Sequence, residues 1–278
     1  TISANLSGKT LTFSGNGVST FTNQGTLQAL SGATLALGST NWSNAVTGTI
    51  SGTGATLNFS GNWSNAAGTI NLTSSTLNLG GSFSTAGLGT INRTSSTLNV
   101  TGTLNNTGAT LTVGTGTALG ILNLVSGTIQ GGTVQETAGT GLVFNTTGTL
   151  NGVTLRGVLD LSGTNNTARI LNGLTLLTEA GGLGGVANVT GANATLVFDS
   201  TSTASFNNAT INLGSATTAG NLNIDGAATL TLGSGVTVQG TGTIGGQTFV
   251  GGAATLINQG TISANLSGKT LTFSGNGV

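Results

Sequence analysis

From Thr56 the chain reads Thr-Leu-Asn-Phe, and from Thr76 it reads Thr-Leu-Asn-Leu, so polar and apolar positions alternate strictly. A period of two marks a strand with one buried face. Leu57 and Phe59 therefore point one way, Thr56 and Asn58 the other. The same Thr-apolar-x-apolar pattern stands at Thr10, Thr34 and Thr97, which sets Leu35, Leu57, Leu77 and Leu98 in one column. A second pattern, Gly-Thr-Leu or Gly-Thr-Ile, recurs at Gly25, Gly48, Gly68, Gly89, Gly127 and Gly148. A third column carries a large apolar residue: Phe21, Trp42, Trp63, Phe83 and Leu104, continued by spacing to Leu122 and Phe144. The repeating unit is about 20 to 21 residues long.

Each unit holds three short strand-like pieces separated by Gly, Asn and Ser turns. Four residues at ~3.3 Å each are too short to build a hairpin core. Three such pieces can instead form one turn of a coil, with the next turn about 4.8 Å above it. The prediction is an all-β, parallel β-helix (a solenoid) with three short strands per coil. Its columns are ladders of like side chains. Between about Leu150 and Gln259 the spacing loosens, as corner insertions would make it. It is recovered at "LINQGTISA" (256–264), which matches "FTNQGTLQA" (21–29). Residues 1–278 are therefore expected to be a single continuous solenoid, without a linker.

Residues 261–278 repeat residues 1–18 without a difference. The expected explanation is a tile of 260 residues, roughly a dozen coils advancing on the order of 60 Å, repeated head to tail. The polypeptide is then expected to continue past Val278 with "STFTNQGTL", as it does past Val18. The repeat is compatible with covalent tiling and with end-to-end stacking of separate chains.

Composition agrees with the ladders and removes most chemistry. Fifty residues are Gly and none is Pro; a backbone whose every N–H serves a ladder cannot accept Pro. Only 4% of residues are charged and the formal net charge is zero, which argues against nucleic acid or anionic membrane as a partner. No apolar run approaches the ~20 residues of a membrane helix, so no membrane insertion of this segment is expected. His and Cys are both absent, so no nucleophile-plus-base arrangement is available. The acids Glu136, Asp160, Glu179, Asp199 and Asp225 and the bases Lys9, Arg93, Arg156, Arg169 and Lys269 are too scattered for metal-assisted proton transfer. Arg156 and Asp160 share a strand region, where pairing or solvation is expected of them. "GTGTIG" (240–245) has no helix after it and "GKT" at Gly8 lacks the first P-loop glycine, Ser3 standing there. "GGLGG" from Gly181 lacks the Asp of a calcium-binding roll. No catalysis, cofactor or metal is expected.

Two columns carry more than one reading. The rings of Trp42, Trp63 and Phe83 suit core packing at a corner; an exposed strip for stacking on sugars is the alternative. Asn58, Asn78 and Asn99 should stack on the outer surface beside Thr56, Thr76 and Thr97. Stacked amides can bond along the axis and stiffen the coil; ice binding by a flat Thr array is the rival. The Asn-x-Ser/Thr triplets at Asn41, Asn62, Asn71 and Asn92 permit glycosylation.

"LINQGTISA", "FTNQGTLQALSGATLAL" and "GTINLTSSTLNLGGSF" resemble the β-strand-repeat regions of giant bacterial surface proteins, the filamentous-haemagglutinin-like and autotransporter-passenger-like β-helices. The resemblance implies a right-handed coil, secretion to the cell surface, and a role in stalks, adhesion or extracellular fibres. The function expected is a stiff extracellular filament or stalk, partnered with itself. The second expectation is an adhesin or carbohydrate-binding passenger, partnered with surface glycans.

Overall fold

A computed structural model describes residues 1–14, 20–199 and 208–275, with backbone alone for 204–206. Residues 15–18 and 276–278, the last positions of the two identical copies, lie outside the described residues. The chain is a parallel β-solenoid with three faces per coil. The first face begins with Ile2–Ala4, Thr26–Leu30, Thr49–Thr53, Thr69–Thr73 and Thr90–Thr94. The second begins with Thr10–Ser14, Thr34–Gly38, Thr56–Phe59 and Thr76–Leu79, and runs through Thr97–Val100 and Leu122–Leu124 to Leu142–Phe144. The third face is unbroken: a path of twelve strands leads from Thr20–Asn23 to Leu271–Phe273.

Strand alternation builds the interior. Leu35, Leu57, Leu77 and Leu98 are paired in register along the second face and fully buried. Each coil covers the apolar slice of the one below, so burial per coil is small and the continuous stack supplies the stability. Corners are tight. Gly81 has φ +66°, and a Cβ there would lie 2.0 Å from the Gly61 carbonyl oxygen, so only glycine turns this corner.

Spacing misassigns two positions. Leu122 pairs with Leu98 and Phe144 with Leu124, both on the second face. The third-face column instead runs from Leu104 to Ile129 to Leu150. The cause is the long corner between Thr110–Gly114 and Leu122–Leu124, which lengthens one coil without disturbing its ladders.

The two identical copies occupy different faces. Ile2–Ala4 lies on the first face, under Thr26–Leu30, whereas Thr261–Ser263 lies on the second, above Thr237–Gly240. Leu11 and Phe13 lie on the second face, opposite Leu35 and Leu37. Their counterparts Leu271 and Phe273 lie on the third, paired with Gly242 and Ile244. The second copy thus sits one face further round the coil than the first.

Candidate functional site: side-chain ladders and free coil edges

The aromatic column is internal. Trp42 and Trp63 stack with ring centroids 5.4 Å apart and 13° between planes, and Trp63 and Phe83 at 4.4 Å and 18°. Phe59 meets both Trp rings edge-on. Each indole N–H donates to a carbonyl one strand away, Trp42 to Ser60 and Trp63 to Gly80, at 2.9 and 2.8 Å. Leu104 continues the column and is fully buried. Phe21, on the first described coil, pairs with Trp42 and is only half-buried. With the Trp42, Trp63 and Phe83 rings inside, no strip of them is presented to a sugar.

The outer amides form a chain. Asn78 donates to Asn58, Asn99 to Asn78 and Asn123 to Asn99, at 2.7 to 3.0 Å. In-register parallel pairing dictates this, because each Asn stands directly above its counterpart. A similar outer chain links Asn188, Asn212, Gln239 and Asn265 on the later coils.

A second amide ladder lies inside, at positions whose polar residue type suggests the surface. Asn23 donates to Asn44 at 2.8 Å and Asn44 to Asn65 at 2.7 Å. Asn65 donates to the Leu88 carbonyl at 2.8 Å. Asn44 and Asn65 are essentially inaccessible. Their signal was legible: each lies two residues after Trp42 or Trp63 and so shares the inward parity of the ring. The ladder closes the corner between the third and first faces. Gly68 leaves room for it, since a Cβ there would lie 2.3 Å from Asn44 Nδ2. Asn44→Ala is expected to cost about 2–3 kcal/mol, because it orphans a buried donor and a buried acceptor on its neighbours. Equilibrium denaturation checks this; Asn78→Ala, on the outer ladder, should cost well under half as much.

Charged groups serve as local fasteners. The Glu136 carboxylate is fully buried and accepts three backbone N–H groups: Gly141 at 2.9 Å, Leu142 at 2.8 Å and Val158 at 2.8 Å. It thereby joins Leu142–Phe144 to Val158–Asp160, where the second-face ladder is interrupted. Burial pushes this carboxyl above the ordinary range, and the three N–H donors oppose the shift only in part. Asp225 is likewise buried and accepts from the N–H groups of Thr248, Phe249 and Val250. Arg169 pairs with Asp199 and lies 4.9 Å from the centre of the Phe249 ring. Arg156 and Asp160 form no ion pair with each other; Asp160 accepts from the Ser162 N–H.

Arg93 occupies an inward position, opposite Leu72. Its guanidinium turns aside to donate to the Ile121 carbonyl at 3.1 Å. A polar groove opens around it, lined by Asn71, Thr73, Asn92, Thr94 and Thr117. Among the described residues no three His, Cys, Asp or Glu side chains gather as a metal would require. Among the described residues no helix is long and apolar enough to cross a membrane.

The coils at either end of the described chain carry strands bonded on one side. Ile2–Ala4 pairs with Thr26–Leu30 and no other strand, and Thr255–Asn258, Thr261–Ser263 and Leu271–Phe273 each pair only with the coil before them. The inward-facing Ile2 and Phe273 are 45% and 50% exposed there, and Ile257, on the outer side of its strand, is 42% exposed.

No family model matches the chain, and no curated protein does. Among solved structures it is similar to a TibC-catalyzed hyper-glycosylated TibA fragment (residues 55–350), at 17% identity over 98% of both chains with a TM-score of 0.23. At that score the two chains do not superpose as wholes, and the likeness adds nothing to the reading of the site.

Proposed function

We propose that the chain is a non-catalytic structural element: a stiff extracellular filament or stalk formed by end-to-end continuation of the solenoid. The observation that carries this reading is the unbroken third face, with a buried ring column inside it and amide chains beside it. Every coil is bonded to the next through backbone and side chain, so axial stretching must break many bonds together. Strand edges left open at a coil end are templates for further strands. Near-zero charge lets neighbouring molecules approach without long-range repulsion. Electron microscopy of the 278-residue chain across a concentration series tests the reading. Rods whose lengths are multiples of a unit on the order of 55 Å are expected. A single short particle at every concentration would exclude end-to-end assembly.

A second reading is display to a receptor, with surface glycans as the ligand class. The groove at Arg93 favours it, because amides, hydroxyls and one cation converge there. Saturable binding of acidic glycans that Arg93→Gln abolishes would support display over scaffold.

A further inference from the structure

The free edges of the last described coil are copies of edges already in use near the start of the chain. Thr261–Ser263 has the sequence that precedes and includes Ile2 and Ser3, the strand on which Thr26–Leu30 is laid, Ile2 opposite Leu27 and Ser3 opposite Gln28. Leu271–Phe273 repeats Leu11 to Phe13, the strand on which Thr34–Gly38 is laid. Strand specificity in a parallel ladder is set by the side chains at the edge, so an edge of identical sequence accepts the same partner.

The third strand of that coil fits independently. Asn258 in Thr255–Asn258 holds the Gly260 N–H and carbonyl with its own amide, at 3.2 and 3.4 Å. Asn23 does the same with Gly25, at 3.2 and 3.0 Å, and in addition donates to Asn44 as the first described member of the inner ladder. Asn258 is exposed at the coil end. It is therefore shaped as the residue beneath Asn23.

We infer that a second copy of this chain adds by strand exchange: its strands Thr20–Asn23, Thr26–Leu30 and Thr34–Gly38 seat on Thr255–Asn258, Thr261–Ser263 and Leu271–Phe273 of the first. Residues 1–14 of the incoming copy are displaced, their place being taken by the identical residues 261–274. All three strands dock together only if the incoming copy is turned by one face, because the first face of the newcomer meets the second face of its predecessor. This rests on the filament reading and sharpens it: the joint carries no new sequence, and successive copies turn by one face in three.

Because the chain lacks Cys, cross-linking is clean. Ser263→Cys with Gln28→Cys marks the exchanged joint: within one chain Gln28 bonds Ser3 and lies in the second coil, ten coils from Ser263. Ile257→Cys with Ser3→Cys marks blunt stacking of the last coil on the first, without exchange or rotation. Under mild oxidation the 28/263 pair is expected to give a ladder of covalent multimers on a non-reducing gel, and the 3/257 pair to stay monomeric. Multimers from the 3/257 pair alone would overturn the exchange and leave end-to-end assembly standing. No multimers from either pair, with a monomer mass unchanged across concentration in sedimentation, would overturn both.

Discussion

Replacing Trp63 with Ala is expected to remove about 3–5 kcal/mol of stability, the largest loss of any single core truncation in this chain. The ring lies between Trp42 and Phe83, meets Phe59 edge-on and donates to the Gly80 carbonyl. Truncation therefore opens a cavity shared by three coils and also leaves a carbonyl without its donor. In a solenoid each coil is stabilised chiefly by its neighbours, so the loss should propagate along the axis before it dissipates. Guanidinium denaturation followed by far-ultraviolet circular dichroism measures it. Trp63→Phe keeps the stack and loses only the indole bond and some area, so it should cost roughly 1–2 kcal/mol. Equal losses for Ala and Phe would mean that stacking in this column contributes nothing.

Glu136→Ala should be comparably severe, at roughly 3–5 kcal/mol, because three backbone N–H groups lose a buried acceptor at once. The pH dependence distinguishes this residue from an ordinary packing site. Its folded carboxyl is held above the unfolded value, chiefly by desolvation. Between the unfolded value, near 4.3, and the raised folded one, the native state binds more protons than the unfolded state. Stability from this group is then fully present below the unfolded value and is lost as pH rises through the folded one. Urea midpoints of the wild type should fall across that interval relative to those of Glu136→Gln, which cannot ionise. Parallel curves for the two proteins would remove Glu136 from any part in the pH response.

Much of this architecture is written in local pattern. Thr-Leu-Asn-Phe and its relatives state which side chains face inward, and their recurrence near 20 residues states that coils stack. The same parity, applied without prejudice about residue type, also marks Asn44, Asn65, Arg93 and Glu136 as inward. Residue type points the other way, because polar and charged side chains ordinarily lie at the surface. Burial of Glu136 depends on partners that sequence does not bring near it: Val158 belongs to the next coil, and its N–H reaches the carboxylate only after the chain has turned through four corners. Asp225 and the Thr248–Val250 segment are related in the same way.

The sequence by itself determined the strand alternation, the coil and the amide ladders, since each follows from a period of two within a repeat of about twenty. Only the tertiary structure decided which face each strand occupies. A strand with one apolar side suits all three faces equally, and its place depends on how many strand positions the intervening corners have used. That is why Leu122 and Phe144 moved to the second face, and why two identical stretches of sequence begin on the first face at Ile2 and on the second at Ile262.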